Sequence, residues 1–255
     1  RFIRASDFSK SLGESNNPEW KTVAYDETSG KIVVPGGTIG FRWGEAGKWN
    51  LEEKDSTGQP TKLRLSLADI KDDMAEVAFP YFGNIEHEHF QSTSHASILK
   101  RRVPVKKLKL ADGQTLVASV HDLILANYGV DRGFGGDNVA KSLDDDSPYT
   151  PAWAEKITGV SRDKIIQVAR EFAANAEKTN DRSMIIIGAA MNHWYHADMN
   201  YRGVINMLMM CGCIGQSGGG WAHYVGQEKL RPQTGWTALA FALDWIRPPR
   251  QMNST

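Results

Sequence analysis

Glycines and hydrogen-bond donors are concentrated in one segment, residues 212–235. Its side-chain donors include His223, Gln227, Lys229 and Arg231. Glycine permits positive φ angles and close approach of the backbone to a ligand, and successive amides of such a loop can point at anionic oxygens. A flexible linker is the alternative interpretation, but Trp221, Tyr224 and Trp236 would be costly to leave in water. The segment therefore predicts a loop that holds an anionic ligand.

A second group of polar residues follows a short apolar run that ends at Gly188. It comprises Asn192, His193, Tyr195 and His196. In open α/β sheets, ligands bind beyond the carboxyl ends of the strands, so these residues are candidates for contact with a ligand. The two histidines, three residues apart, are also possible metal ligands. Hydrogen bonding to a ligand or a structural role is favoured, because the pair stands alone.

Other residues that often bind metals are interpreted as structural. His87 and His89 lie in a polar stretch without a third ligand at useful spacing, which favours a solvated surface. Residues 144–146 are aspartates, but the later glycine and glutamate of a calcium loop are missing. Cys211 and Cys213 are separated by one glycine, which suits neither an unstrained disulfide nor a zinc site. We therefore assign no metal ligand within the chain.

The composition is that of an ordinary soluble domain. The 255 residues include 30 basic and 30 acidic side chains, so no basic field exists to attract nucleic acid, and nucleic acid is not an expected partner. No run of about 18 apolar residues is present, so no membrane-spanning segment is predicted. The chain begins at Arg1 without a methionine and stops at Thr255 without a closing helix. We therefore expect an internal piece of a larger protein.

The pattern of apolar residues predicts an α/β fold in two parts. Residues 1–105 are interpreted as a strand-rich, irregular segment with a hairpin near its beginning. Residues 106–255 are interpreted as an α/β region. There, a helix capped by Ser161, a buried strand at 183–188 and an apolar helix at about 199–213 follow one another. This order is typical of a layered fold with a parallel sheet.

Five segments together resemble one known family. They are residues 16–23, 40–45, 149–155, 192–208 and 211–236. They are similar to the catalytic alpha subunits of respiratory nitrate reductases, which belong to the molybdopterin oxidoreductases with two guanine dinucleotide pterins. The resemblance covers essentially the whole chain, and residues 52–105 are its loosest part. It identifies residues 106–255 as an incomplete molybdopterin-cofactor-binding region.

The resemblance also implies which residues approach the cofactor. It places His193 and Val225 near the molybdenum without making them ligands, and His193 and Asn192 are the expected catalytic residues that line the pocket. The expected cofactor-binding residues are Gly188, Gly219, Gly220, Val225, Gly226, Gln227, Glu228, Lys229 and Arg231. Among them, Lys229 and Arg231 are candidate partners for anionic groups. A pterin dinucleotide is a flat anion with a diphosphate, and a glycine-rich loop with donors suits it.

The function implied by the resemblance is two-electron reduction of nitrate to nitrite at a molybdenum bis(molybdopterin guanine dinucleotide) centre, with quinol as the electron source. The expected partners are an iron–sulfur beta subunit and a membrane cytochrome b gamma subunit. The expected location is the cytoplasmic side of the bacterial cell membrane, as a peripheral protein. The aspartate ligand of molybdenum and the ligands of a 4Fe–4S cluster are expected outside this chain, so the isolated chain is expected to be inactive.

Two alternatives remain open at this point. One is another oxyanion reductase of the same superfamily that acts on chlorate or selenate, which only an assay with competing oxyanions would separate. The other is a nucleotide-binding module without a redox role. That alternative predicts that the intact protein contains no molybdenum, which elemental analysis decides.

Overall fold

The computed structural model describes residues 1–9, 12, 21–36, 53–81, 97–215 and 217–223. This part of the chain has the mixed helix and strand content of an α/β protein. It divides into two compact units, Arg1–Glu171 and Phe172–Thr255. The separate division at residue 105, into a strand-rich part and a cofactor-binding part, stays a prediction.

Helices and strands occur in both units. The helices are α1 (Ala5–Phe8), α2 (Val120–Asn127), α3 (Pro151–Thr158), α4 (Arg162–Thr179), α5 (Ala189–Asn192) and α6 (Ala197–Met210). The strands are β1 (Ala24–Asp26), β2 (Lys31–Val33), β3 (Leu63–Arg64), β4 (Asp73–Tyr81), β5 (Ser97–Leu110), β6 (Gly113–Val117), β7 (Met184–Ile187) and β8 (Gly220–His223).

The first unit contains two three-stranded antiparallel sheets, with the orders β2–β1–β3 and β4–β5–β6. The predicted hairpin near the beginning is confirmed, with Ala24 opposite Val33. The long strand β5 follows from its sequence pattern, in which buried Leu99 and Val103 alternate with exposed Lys100. A period of two buries one face of a sheet and leaves the other in water.

The predicted parallel layering is not confirmed, because most of the described strands pair in antiparallel sheets and β7–β8 is the parallel exception. Strand β5 joins β6 through Ala111 and Asp112 alone. A connection that short permits only an antiparallel pair. The sequence contains a signal for this turn, an Asp-Gly dipeptide at 112–113, which is typical of a hairpin.

Helix boundaries in this unit follow their capping residues. Helix α3 begins after Thr150, whose side chain accepts a hydrogen bond from the Trp153 amide, and it ends at Gly159, where φ is 73°. Helix α4 follows Ser161, whose hydroxyl accepts from the Lys164 amide at 3.4 Å. The predicted start of that helix is therefore confirmed, because side-chain oxygens at these positions satisfy first-turn amides.

Arg101 on β5 is 1% exposed, and its guanidinium is bonded on every side to the main chain. The accepting carbonyl oxygens, at 2.7 to 3.0 Å, belong to Ala126, Asn127, Asp137 and Asn138. The first two lie at the end of α2, where the helix dipole favours a cation. Burial lowers the pKa of Arg101. The guanidinium thus ties a helix end and the following loop to the strand.

Asp122, in the first turn of α2, is completely buried and fully bonded. Its carboxylate accepts from the Leu67 amide at 2.8 Å, the Ser66 hydroxyl at 2.7 Å, the Ser119 hydroxyl at 2.8 Å and Arg132 at 2.6 Å. Burial alone raises the pKa of Asp122, but the hydrogen bonds outweigh it and hold the pKa below its ordinary value. The carboxylate therefore joins the 66–67 turn to α2.

The core of the second unit is formed by α4, α6 and the parallel pair. Its buried residues are Ala176, Leu208 and Cys213. The side chains packed against them are Phe172, Ile185, Val204, Cys211 and Trp221. Strand β7 was expected to be buried on both faces, but Ile187 is buried whereas Ile186 is 80% exposed. The described helices pack on the face of Ile185 and Ile187.

Candidate functional site

The two segments that the sequence singles out meet at one edge of the parallel pair. Ile185 lies opposite Trp221, and Ile187 lies opposite His223. Because the strands run in the same direction, their carboxyl ends lie side by side, with Gly188 following one of them. This edge is where α/β proteins bind ligands, and it is the candidate site of the second unit.

Ser183 fixes the beginning of this pair. Its buried hydroxyl donates to the Phe172 carbonyl at 3.0 Å and accepts from the Asn175 amide group at 2.8 Å. Its own carbonyl accepts from the Gly220 amide at 3.1 Å. One residue therefore ties α4 to both strands. It sets the register at which the opposite, carboxyl ends come together.

The connection from α6 to β8 requires glycine for its shape. Gly212 has φ of 68°, and its amide donates to the Met209 carbonyl at 3.1 Å, while the Cys213 amide donates to Leu208 at 2.9 Å. This is how helices commonly end, with a left-handed residue that satisfies the last carbonyls. Gly220, at φ of 93°, begins β8. Its positive φ lets the chain enter the strand from the preceding turn. The predicted contact of Gly220 with a cofactor stays a prediction.

The predicted pocket residues come directly after β7. A side chain at Gly188 would meet no atom of the described residues within 4 Å, so these residues leave space open at the end of the strand. Asn192 ends α5, and its buried Oδ1 has no hydrogen-bond partner in the described structure. His193 follows as the exposed C-cap of α5. The structure thus brings Gly188, Asn192 and His193 to the candidate edge, while their catalytic and binding roles stay predictions.

Three rings form a cluster beside these residues. Tyr201 of α6 packs edge-on against Trp221 and His223, with centroid distances of 5.0 and 5.6 Å. Trp221 and His223 are stacked at 5.7 Å with an interplanar angle of 18°. The Tyr201 hydroxyl and Trp221 Nε1 are buried without a hydrogen-bond partner in the described structure. Such groups are uncommon in folded proteins, and each costs about 1–3 kcal/mol.

The sequence analysis did not identify Tyr201 as a site residue. It considered Trp221 only as an apolar side chain that is costly to leave in water. Tyr201, Val204, Leu208 and Cys211 are spaced as one face of a helix, which a pattern can identify. The missing partner of the Tyr201 hydroxyl has no counterpart in the pattern. Aromatic residues with a polar group are the signal that was available, because buried tyrosine and tryptophan normally find a partner.

Six of the predicted cofactor-binding residues lie outside the described part of the chain. They are Val225, Gly226, Gln227, Glu228, Lys229 and Arg231. Gly219 is half-buried in the turn before β8.

Burial raises the pKa of the Cys211 thiol, which disfavours a reactive thiolate there.

In the part of the chain that the structure describes, no three histidine, cysteine or acidic side chains lie together so that they could hold a metal ion. None of the helices in that part has the length and hydrophobicity needed to cross a bilayer.

The chain belongs to the molybdopterin oxidoreductase family, which it matches over residues 66–246. Along its whole length it is 64% identical to the respiratory nitrate reductase 1 alpha chain of Escherichia coli (strain K12). It is 65% identical to the respiratory nitrate reductase 2 alpha chain of that strain and 44% identical to the nitrate reductase alpha chain of Bacillus subtilis (strain 168). It spans about 20% of the length of each relative. The resemblance noted in the sequence is confirmed.

Proposed function

We propose that this chain is part of the catalytic subunit of a quinol-linked respiratory nitrate reductase, which reduces nitrate to nitrite at a molybdenum bis(molybdopterin guanine dinucleotide) centre. The observation that carries the proposal is the identity of 64–65% over the whole chain to two nitrate reductase alpha chains. Family membership supports a molybdenum–pterin cofactor. The guanine dinucleotide form is part of the proposal.

The described residues at the carboxyl edge of β7 and β8 fit such a cofactor. Gly188 leaves open space at the strand end, so a flat ligand can approach the backbone closely. The unpartnered Oδ1 of Asn192 supplies a hydrogen-bond acceptor. Pterin rings present N–H donors and ring-nitrogen and carbonyl acceptors along their edges, which match a site that has both polar atoms and space.

When bound, the cofactor supplies two-electron transfer to the oxyanion, so that nitrate, two protons and two electrons give nitrite and water. Asn192 is proposed to bind the oxyanion or the pterin edge through its carboxamide. His193 follows Asn192 directly and its imidazole is exposed, and an imidazole nitrogen can donate a proton. We assign to it delivery of a proton from its ring nitrogen to the oxygen that leaves as water.

Further residues and partners extend the proposal beyond the described part of the chain. Val225, Gly226, Gln227 and Glu228 are assigned to the pterin, with Lys229 and Arg231 neutralising its diphosphate. The molybdenum-binding aspartate and the 4Fe–4S ligands lie elsewhere in the subunit, and the isolated chain is inactive. The subunit acts with an iron–sulfur beta subunit and a cytochrome b gamma subunit, as a peripheral protein on the cytoplasmic side of the bacterial membrane.

The finer fold assignment is a proposal as well. Parallel strands in α/β proteins are normally covered on both faces, whereas Ile186 is 80% exposed. Because the chain is about 20% of the length of its relatives, we propose that β7 and β8 belong to a larger parallel sheet. Other parts of the subunit would cover the Ile186 face.

The test uses the full-length subunit in its complex. The preparation is analysed for molybdenum and pterin, and kcat/KM is measured for nitrate, chlorate and selenate. We expect the metal and the pterin to be present and nitrate to be the preferred substrate. Absence of molybdenum would support the nucleotide-binding module instead, and preference for chlorate or selenate would support the other oxyanion reductase.

Substitution at His193 tests the residue assignment. His193→Ala is expected to lower kcat about 100-fold, a usual contribution of general acid catalysis, with molybdenum and pterin content unchanged. His121→Ala, on α2 of the first unit, is the matched control and is expected to leave turnover unchanged. Unchanged kinetics in the His193 variant would remove this residue from the catalytic site.

A further inference from the structure

The Tyr201–Trp221–His223 cluster contains hydrogen-bonding capacity that the described chain does not use. The Tyr201 hydroxyl can donate or accept, and Trp221 Nε1 can only donate. Both atoms are buried, and neither has a hydrogen-bond partner among the described residues. Since buried polar atoms are almost always bonded in folded proteins, the two atoms indicate that a partner from outside the described residues completes this cluster.

The second aromatic cluster of the molecule shows that this is not a general property of packed rings. Tyr149 packs edge-on against Tyr128 and Trp153, at 5.4 and 5.7 Å. In that cluster Tyr149 is 40% exposed, so water can reach its hydroxyl. Among the described residues, the buried atoms without a partner include the Tyr201 hydroxyl and Trp221 Nε1 but no atom of the Tyr149 cluster. What sets the Tyr201 cluster apart is that its polar atoms are shielded from water and have no protein partner among these residues.

Two of the three rings of the Tyr201 cluster are carried by a paired strand that leads to the candidate edge. Trp221 and His223 are on β8 in fixed register with Ile185 and Ile187, and their rings are nearly parallel. His223 is exposed, so the cluster reaches the surface at the carboxyl end of β8. Groups held in place before binding lose little entropy when the ligand arrives.

We infer that Tyr201 and Trp221 are cofactor-binding residues, which hydrogen-bond the edge of a pterin ring. The inference rests on the proposed function, since it takes the molybdenum–pterin cofactor as the ligand. A heterocycle edge suits the two groups better than a phosphate does, because both donors are neutral and phosphate oxygens favour cationic ones. Although the two polar atoms are buried, the side chains as a whole are partly exposed, so the cluster lies near a surface that a ligand can reach.

The experiment compares the cofactor-loaded and cofactor-free forms of the full-length subunit, made in cells that can and cannot synthesise the pterin. Tyr201→Phe and Trp221→Phe remove the polar atoms and keep an aromatic ring. In the loaded form, each is expected to speed pterin release in mild denaturant about 5-fold, the effect of one net hydrogen bond. In the cofactor-free form, their melting temperatures are expected to equal that of the wild type.

Tyr149→Phe and Trp153→Phe are the matched controls, because they make the same changes in the other aromatic cluster. They are expected to leave pterin release unchanged. Equal losses of melting temperature in both forms of the Tyr201 and Trp221 variants would show that a protein segment is the partner, and would overturn the inference.

Two other outcomes separate this inference from the proposed function. Wild-type release rates in both variants, with the wild-type subunit fully loaded, would overturn the inference alone. A wild-type subunit without pterin or molybdenum would overturn the proposed function together with the inference.

Discussion

The two units differ in how completely their buried polar groups are hydrogen-bonded. In the first, the guanidinium of Arg101 donates to four carbonyl oxygens, and the carboxylate of Asp122 accepts from four residues. In the second, Asn192, Tyr201 and Trp221 each have a buried polar atom that has no hydrogen-bond partner among the described residues. In the first unit the same is true of the Thr61 hydroxyl and Arg64 Nε, although Arg64 Nε lies 2.9 Å from Glu27 in an ion pair, and neither residue is bonded to Arg101 or Asp122.

The difference separates groups that hold the fold from groups available to a ligand. A buried charge costs several kcal/mol unless it is fully bonded, so the networks of Arg101 and Asp122 stabilise the first unit and leave nothing for recognition. An unpartnered neutral group costs less, about 1–3 kcal/mol, and such a cost is commonly found at functional sites. Substitutions should therefore cost much stability at Arg101 and Asp122 and little at the unpartnered groups.

The largest loss is expected for Arg101→Gln. The shorter, neutral side chain leaves several of the four carbonyl oxygens without a donor, and we expect a local loss of about 3–5 kcal/mol. Amide hydrogen exchange of residues 97–140 in the full-length subunit measures it. Arg102→Gln, at the exposed neighbouring position, is the control and should change little. Equal exchange in the two variants would contradict a structural role for the buried guanidinium.

Asp122→Asn is expected to cost about 2–4 kcal/mol at pH 7, because one oxygen is replaced by a donor that faces other donors. The pKa of Asp122 is lower in the folded state than in the unfolded state, so its contribution is present above about pH 4 and is lost as pH falls through the folded pKa. Melting curves between pH 7 and 2 should therefore converge with the wild type at low pH.

The control for that variant is Asp163→Asn, in the first turn of α4, where the carboxylate is exposed. It should cost well under 1 kcal/mol at any pH. A difference between wild type and the Asp122 variant that stays constant with pH would contradict the ionised, bonded state of this carboxylate.

Gly136→Ala should cost about 1–3 kcal/mol. Gly136 has φ of 132°, and a Cβ there would lie 2.7 Å from Arg101 Cα and 2.8 Å from the Lys100 carbonyl oxygen. Gly133→Ala separates the two causes, because φ is also positive (74°) but no atom lies within 4 Å. If both variants lost equal stability in hydrogen exchange, the backbone angle alone would account for the effect.

The smallest effect is expected for Asn192→Leu in the cofactor-free subunit, within about 0.5 kcal/mol of wild type. Its carboxamide oxygen has no partner to lose. Asn175→Leu is the contrasting variant in the same unit, because its amide donates to Ser183 at 2.8 Å, and it should cost about 1–2 kcal/mol. A loss of stability above about 1 kcal/mol for Asn192→Leu would contradict the conclusion that the buried polar groups of the second unit do not stabilise its fold.

Much of the local structure could be predicted from the sequence. The hairpin at β1 and β2, the helix after Ser161 and the strand ending at Ile187 all follow from short-range patterns. The antiparallel pairing of β5 with β6 was missed although Asp112 and Gly113 signal it, because the parallel interpretation of a later segment was extended to the whole region.

For the site, the sequence determined the family and the two segments that carry its motifs, because residue types and their spacing are properties of the chain itself. That β7 and β8 pair in parallel, so that Gly188 and His223 end at one edge, was decided by tertiary structure. So was the state of each buried polar atom, bonded at Asp122 and unpartnered at Tyr201. Hydrogen bonding depends on which distant groups arrive within about 3 Å of each other, and no pattern along the chain contains that distance.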